Sequence, residues 1–302
     1  MKSIRIGTRN SALALWQARE VARYLQNNNY TTEIMPILSS GDKNLNQPLY
    51  ALGITGVFTR DLDTALLNDE IDIAVHSLKD VPTKLPQHTE LIAYLERDYP
   101  QDVLIRKESA KNKEFHELKL ATSSLRRRAF WLKYYPEATF SDIRGNIQTR
   151  LQKLEEQDFD ATILSLAGIK RMKMDIDYEM LPLMIPAPSQ GVIAVAGHSD
   201  KKEINEIVRQ INHKPTQICV EIERNFLSTL EGGCTAPIGA FAEIFDDQIR
   251  FKAALCSLDG KNCIATDENF TYNESENFGE KYAKIVLENG GKELMAEIKS
   301  QI

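Results

Sequence analysis

The chain has 302 residues, of which 42% are hydrophobic and 26% are charged, and its formal net charge is -6. This composition is typical of a globular protein, and the length is sufficient for two or three domains. The acidic balance argues against nucleic acid as a partner. No apolar run approaches the ~20 residues of a membrane-spanning helix, and the N-terminus lacks the apolar core of a signal peptide. We therefore expect a cytoplasmic protein that binds no membrane.

The N-terminal segment alternates between strand and helix patterns. Runs rich in β-branched residues predict strands at residues 4–7, 32–38 and 71–75. Apolar residues at helical spacing predict helices at residues 12–26 and from Phe58 to Leu66. This order predicts a mainly parallel sheet. The polar stretch 39–55 predicts a long loop, of the kind that often forms a lid.

Residues 76–82 follow the third predicted strand and read His-Ser-Leu-Lys-Asp-Val-Pro. Pro82 has no backbone donor and favours an extended residue before it, so the strand ends here. In open α/β sheets, ligands bind at the carboxyl ends of the strands. Lys79 and Asp80 therefore place a cation and a carboxylate at a candidate site, although such a pair alone is more typical of a surface ion pair.

Arg9 and Ser11 follow the first predicted strand in the same way. Asn10 or Ser11 can cap the next helix, and a helix N-terminus beside an arginine is a ready site for a carboxylate or phosphate. Plain helix capping beside an exposed arginine explains the pattern equally well.

A second α/β pattern occupies residues 101–186. Ser124 lies at a strand-to-helix junction, and Arg126 and Arg127 fall in the first helical turn. Cations there oppose the helix dipole, which favours a role in anion binding over one in stability. Arg144 falls at the end of a later strand. Arg150, about one turn into the following helix, is on spacing alone equally typical of a solvated face.

Three prolines in residues 181–189 are typical of a linker. The small apolar strand 192–196 is then expected to return to the first sheet, followed by a charged helix. Residues 220–230 predict a helix, residues 238–254 alternate like antiparallel strands, and a broken helix covers 282–298. We predict three domains, at residues 1–96 with 192–211, 101–186, and 215–302.

The four cysteines are Cys219, Cys234, Cys256 and Cys263. None has the spacing of a zinc site, so we predict no metal, and for a cytosolic protein we expect no disulfide. Cys234 follows two glycines and therefore lies in a flexible loop. It is either a harmless surface cysteine or a thiolate that carries a covalently attached group.

Together these segments resemble the porphobilinogen deaminase family, also called hydroxymethylbilane synthases. The resemblance runs almost end to end, and its motifs follow the family's order. The matching segments are residues 8–17, 76–82, 122–127, 144–150, 167–171 and 231–234.

The resemblance implies an α/β fold with two domains like periplasmic binding proteins and a small α+β C-terminal domain. It also implies a dipyrromethane cofactor joined to Cys234 through a thioether, and a monomer. The reaction would join four porphobilinogen units head to tail with loss of ammonia, then release hydroxymethylbilane by hydrolysis. The family's catalytic carboxylate falls on Asp80.

The resemblance also implies which residues bind the cofactor and the substrate. Cofactor binding falls on Lys79, Ser124, Arg126, Arg127 and Arg144. Substrate binding falls on Arg9, Ser11, Gln17, Arg150 and Arg171. The residue types suit this chemistry, because arginine forks bind carboxylates and a fixed carboxylate stabilises the cation left by ammonia and can manage protons.

Two departures from the family's pattern stand out. The family commonly has lysines in a Gly-Lys-Gly-like stretch before Phe58, but residues 53–56 here read Gly-Ile-Thr-Gly, with Thr55 and no lysine, and position 51 is Ala51. Ala196 stands where glutamate is common. We expect these changes to affect the electrostatic contacts of the lid, without touching Asp80 or Cys234.

Two other functions compete with this one. A two-lobed anion receptor, or the effector domain of a regulator, explains paired α/β domains and clustered arginines but not the third domain with its glycine-flanked cysteine. No helix-turn-helix segment precedes Ile4, which argues against a regulator bound to DNA. A cysteine-dependent transferase acting on another substrate is the third alternative.

Overall fold

The computed structural model describes residues 3–38, 56, 58–231 and 236–302. The strands are β1 (Ile4–Arg9), β2 (Thr32–Ile37), β3 (Ile73–Ser77), β4 (Thr89–Tyr94), β5 (Asp102–Arg106), β6 (Lys119–Ala121), β7 (Thr139–Ser141), β8 (Ala161–Ser165), β9 (Glu179–Met180), β10 (Ile193–His198), β11 (Ile238–Phe245), β12 (Gln248–Cys256) and β13 (Cys263–Thr271). The helices are α1 (Ala12–Asn27), α2 (Arg60–Leu67), α3 (Leu125–Leu132), α4 (Ile147–Glu156), α5 (Leu166–Arg171), α6 (Lys202–Arg209), α7 (Lys214–Thr229), α8 (Phe278–Val286) and α9 (Lys292–Gln301).

The first sheet has the strand order β2-β1-β3-β10-β4. β1 is parallel to β2 and β3, as predicted, and β10 returns to this sheet between β3 and β4. The sheet is nevertheless mixed, because β10 runs antiparallel to both neighbours: Ala194 lies opposite His76 on one side and Tyr94 on the other. The expectation of a mainly parallel sheet therefore holds for β1 to β3 only, since the returning chain enters from the opposite end.

The second sheet has the order β7-β6-β8-β5-β9 and the same internal design. β6 is parallel to β7 and β8, whereas β5 is antiparallel to β8 and β9. Each sheet thus has three neighbouring parallel strands, one strand antiparallel to them, and an edge strand that runs in the direction of the first three. Two such sheet-and-helix units are the arrangement expected from periplasmic binding proteins, and this part of the fold prediction is confirmed.

The third sheet is an antiparallel meander of β11, β12 and β13. It packs against α7, α8 and α9 around a core that contains Phe226, Phe251 and Phe278. Helix α7 begins before the predicted start at residue 220, because the His213 side chain accepts a hydrogen bond from the Thr216 amide and a proline occupies the first turn. The small α+β unit is confirmed.

Cys256 and Cys263 form a disulfide, which contradicts the expectation that the chain has none. The two residues face each other across β12 and β13, with their Cα atoms 4.1 Å apart. The expectation rested on the cellular compartment and overlooked the register of this hairpin, which places the two cysteines side by side. Cys219 is a free, buried thiol, and Cys234 lies outside the described residues.

None of the described helices is long and apolar enough to cross a bilayer.

Candidate functional site

Strand β3 delivers the segment 76–82 to the carboxyl end of the first sheet. Its residues are buried as far as His76, and a single 3₁₀ turn, Leu78–Asp80, follows. The Leu78 side chain is fully buried, and its amide donates a hydrogen bond to the Val192 carbonyl. This anchored turn leaves Lys79 and Asp80 half-buried at the sheet's edge.

A cavity opens beside this turn and brings together residues from β1, α1 and β3. The polar residues that line it are Arg9, Ser11, Gln17, His76, Ser77 and Asp80. Gln17 is buried and donates from Nε2 to the Ser77 hydroxyl at 2.8 Å. The Ser11 hydroxyl caps α1 by accepting from the Ala14 amide. Three predicted substrate-binding residues and the predicted catalytic carboxylate therefore face one cavity.

The Arg9 guanidinium lies over the Phe58 ring, with 4.3 Å between its carbon and the ring centroid. This cation–π contact helps to orient the guanidinium at the edge of the cavity.

His76 also lines this cavity, although no pattern in the sequence selects it. The ring is buried, and burial followed by the nearby charge of Arg9 lowers the pKa of His76 to about 4. The imidazole is therefore neutral at physiological pH. A histidine inside a strand pattern is usually a core residue, so only its three-dimensional placement marks it as part of the site.

The predicted arginine pair lies at the start of α3, where its charges act on Lys79. We use the word cleft for the region that this pair shares with Lys79 and Asp80. Arg126 and Arg127 are buried and both bind the Asp102 carboxylate, each with an N–O distance of 2.7 Å. Burial alone would raise the pKa of Asp102, but the charges and hydrogen bonds of the two arginines outweigh it and hold that pKa far below its usual range. Ser124 caps the same helix by accepting from the Arg127 amide.

Arg150 and Arg144 come from the start of α4 and the strand end before it. Arg150 donates from Nε to the Gly145 carbonyl at 2.9 Å. Burial, then the charge of Arg127, lowers the pKa of Arg150 to about 10, while Asp80 acts in the opposite direction. Arg150 is thus half-buried, near the charges of Arg127 and Asp80. Arg144 is also buried.

Arg171 is placed at the connection between the first two sheets. Its Nε donates to Asp98 at 2.8 Å, and a terminal nitrogen donates to the Gly191 carbonyl at 2.7 Å. Gly191 has φ +86°, and a Cβ there would lie 3.0 Å from the Tyr99 carbonyl oxygen, so the connection requires glycine. The predicted contact of Arg171 with substrate stays a prediction.

Lys79 reaches towards the same connection, where its ammonium donates to Gln190 Oε1 at 3.4 Å. Burial lowers the pKa of Lys79 to about 8, partly offset by Asp80. Asp102 and Gln190 are the other two residues that sequence reasoning missed. The signal available for Asp102 was a charged residue at the first position of a buried strand. The signal available for Gln190 was a glutamine directly before a glycine.

Two groups of predicted residues need separate mention. Cys234 and its two glycines, and also Ala51 and Thr55, lie outside the described residues. Ala196 is buried in an apolar cluster with Ile71 and Ala74, away from the cleft. Among the described residues, no group of histidine, cysteine, aspartate and glutamate side chains is arranged to hold a metal ion.

Comparison with known proteins gives the same family along nearly the whole chain. Residues 4–206 match the family described as "Porphobilinogen deaminase, dipyromethane cofactor binding domain", and residues 217–288 match its C-terminal domain. The porphobilinogen deaminase of Syntrophomonas wolfei is 40% identical over 98% of this chain and 99% of its own length. The probable porphobilinogen deaminase of Methanocaldococcus jannaschii is 46% identical over 85% of this chain and 89% of its own length.

Among solved structures, an ancestral cationic amino acid solute binding protein is similar at 15% identity, with a TM-score of 0.43, over 69% of this chain and 87% of that chain. The family models and the identity to the curated relatives establish the assignment. This chain belongs to the porphobilinogen deaminase family.

Proposed function

We propose that the chain is a transferase of tetrapyrrole biosynthesis that condenses four porphobilinogen units head to tail. The growing row of linked pyrroles is built on a dipyrromethane primer that is joined to Cys234 through a thioether. Each condensation step releases ammonia, and hydrolysis then frees hydroxymethylbilane. The observation that carries this proposal is the half-buried carboxylate of Asp80 in a cleft rich in cations.

The described residues fit a polyanionic cofactor. Among the described groups, Lys79 and Arg150 lie close to Arg126 and Arg127 and to the carboxylates Asp80 and Asp102, so these four cations outnumber the two carboxylates. Burying such an excess of positive charge is unfavourable unless anions complete the site. The acetate and propionate groups of linked pyrroles supply those anions, and arginine forks bind them.

When bound, the cofactor supplies a nucleophilic pyrrole carbon. The protein's residues bind the substrate, stabilise the developing charge and accept the proton. Arg9, Ser11, Gln17, Arg150 and Arg171 hold the carboxylates and the ring of the incoming porphobilinogen. Asp80 accepts a hydrogen bond from its pyrrole N–H and stabilises the positive charge that develops on the substrate as ammonia leaves. Asp80 would also receive the proton that the α-carbon of the attacking pyrrole loses once the new carbon–carbon bond has formed.

The same proposal covers the organisation of the protein. We propose domains at residues 1–96 with 192–211, 101–186, and 215–302, the last carrying the loop with Cys234. The protein acts as a cytoplasmic monomer on a small-molecule substrate, without a metal, nucleic acid or membrane as partner.

The intact mass of denatured protein tests the proposal. We expect wild type and Cys219→Ala to carry an adduct of two linked pyrrole units, and Cys234→Ser to carry none. If wild type is unmodified, incubation with porphobilinogen followed by a second mass measurement decides. A gain in mass supports the enzyme, whereas an unchanged mass contradicts it and favours an anion receptor.

A further inference from the structure

Gln190 is fully buried on the chain segment that leads from the second sheet back to β10. Its Nε2 donates to the Pro100 carbonyl at 2.7 Å and to Asp102 Oδ1 at 3.1 Å. Both partners are acceptors, so a flipped amide would place its oxygen against two other oxygens. The orientation of the Gln190 side chain is therefore fixed by its neighbours.

With Nε2 fixed in this way, Oε1 faces the Lys79 ammonium at 3.4 Å. The Lys79 side chain makes this one hydrogen bond to the described residues. The charged groups that act on Lys79 are Asp80, Arg127, Asp102 and Arg126. Burial and the arginines disfavour the ammonium form, while the two carboxylates favour it.

Asp102 completes the connection, because the carboxylate that orients Gln190 also binds Arg126 and Arg127. A continuous set of hydrogen bonds thus runs from the arginine pair of the second sheet, through Asp102 and Gln190, to the turn of the first sheet that carries Asp80. Gln190 is the neutral member of that set.

We infer that Gln190 is a positioning residue of the reaction, which holds the Lys79 ammonium in the orientation that receives a cofactor carboxylate. The inference rests on the cofactor-binding role proposed for Lys79. A glutamate here would pair with Lys79 and compete with the cofactor carboxylate, besides repelling Asp102. A methionine would fill the space without an acceptor. A neutral acceptor orients the ammonium and leaves its charge for the ligand.

The test compares Gln190→Met and Gln190→Glu with wild type. Purified proteins are labelled with trace acetic anhydride over a range of pH, and the labelling rate of Lys79 is read by peptide mass spectrometry, with exposed Lys202 as the internal reference. We expect the midpoint of Lys79 labelling to fall in the methionine variant and to rise in the glutamate variant. A shift of half a pH unit changes the rate below the midpoint by about threefold.

Turnover gives the second readout. We expect kcat to fall about 5- to 10-fold in Gln190→Met, the size expected for one lost hydrogen bond of ordinary strength. Unchanged Lys79 midpoints in both variants, with Lys202 constant, would overturn the inference and reduce Gln190 to a packing role. If the methionine variant does not fold, the glutamate variant alone decides by the direction of its midpoint.

The two proposals fail separately. Wild-type protein that makes no hydroxymethylbilane contradicts the proposed function, whatever Lys79 does. The labelling midpoints report the contact between Gln190 and Lys79 even in protein without turnover, so they still support or overturn the positioning role.

Discussion

Asp80 and His76 leave the same strand and meet different surroundings. His76 is buried beside Arg9 and is neutral, whereas Asp80 lies half-buried at the cavity's edge, within reach of the charges of Lys79 and Arg150. One strand end thus supplies both the carboxylate that we propose for the reaction and an uncharged wall for the cavity.

Asp80→Asn removes the charge of this carboxylate and keeps its shape. We expect kcat to fall by roughly 10²- to 10⁴-fold. The developing cation loses its counter-charge, and the proton released in the condensation loses its acceptor. The free energy of unfolding in urea should change by less than about 0.5 kcal/mol, since the side chain is half-exposed. Asp200→Asn, at an exposed position, is the control that keeps full activity. Near-wild-type bilane production by Asp80→Asn contradicts the role.

The neutral state of His76 predicts a pH dependence of stability. Its pKa is about 4 in the folded chain and near 6.5 in the unfolded chain, so the unfolded state binds the extra proton between these values. Stability is therefore lost as the pH falls below about 6.5, and the loss is complete near pH 4. Between pH 7.5 and 5, this group alone removes about 2 kcal/mol.

Urea unfolding at the two pH values measures this effect. In His76→Gln the free energy of unfolding should decrease between pH 7.5 and 5 by about 2 kcal/mol less than in wild type. His116→Gln changes an exposed histidine and should show the same decrease as wild type. An equal decrease in all three proteins would mean that the pKa of His76 is not lowered in the folded state.

At the scale of elements, the sequence predicts most of what the structure contains. The strands and helices that position Arg9, Asp80 and Arg126 follow from β-branched runs, helical spacing and caps, because these are local properties. The antiparallel direction of β10 depends on how a distant segment re-enters the sheet, and no local pattern encodes it. The contact between Cys256 and Cys263 depends likewise on the register of β12 and β13.

The disulfide between Cys256 and Cys263 predicts a stability that depends on reductant. The turn between the two cysteines packs against helix α3, where a Cβ on Gly260 would lie 2.4 Å from the Ala129 carbonyl oxygen. Closing so short a loop stabilises the folded chain by roughly 2 kcal/mol. We expect a reducing agent to lower the free energy of unfolding of wild type by about this amount.

Two measurements check this prediction. Alkylation of denatured protein should add two more groups after reduction than before it. The double variant Cys256→Ser/Cys263→Ser should be insensitive to reductant, whereas Cys219→Ala, which removes a buried free thiol, should keep the sensitivity. Full alkylation of wild type without reductant would rule out the disulfide.

At the scale of the whole molecule, Glu223 joins segments that are distant in sequence. This carboxylate of α7 is fully buried, and it accepts hydrogen bonds from Arg97 at 2.7 Å, from the Ser189 amide at 2.6 Å and from the Ala242 amide at 2.7 Å. Arg97 and Ser189 belong to the two segments that connect the first and second sheets, and Ala242 belongs to the third sheet. All three sheets are therefore tied to one carboxylate.

The sequence could not predict this junction. Glu223 is one of many acidic residues on helices, and a buried carboxylate is recognisable only once its donors are known, because burial without them is strongly unfavourable. Asp102 and Gln190 could not be recognised from the sequence for the same reason, because their hydrogen-bond partners lie in distant segments. Motifs located the residues that we propose to contact ligands, whereas the polar residues that support them depend on contacts between segments far apart in the chain.

Glu223→Gln tests the importance of this junction. Glutamine leaves the half-buried Arg97 without its counter-charge and puts an amide nitrogen in place of an acceptor, so we expect a loss of about 3 kcal/mol in the free energy of unfolding. Because both connecting segments lose a shared partner, the stretch around Ser189 should also become the first site of cleavage in limited proteolysis.

The matched control is Glu221→Gln, an exposed position on the same helix, which should change stability by less than about 0.5 kcal/mol. Urea unfolding distinguishes the two variants directly. If Glu223→Gln is as stable as Glu221→Gln and is cleaved at the same sites as wild type, the three sheets are held by their apolar contacts and the buried carboxylate contributes little. A loss confined to Glu223→Gln places the stabilisation in its three donors.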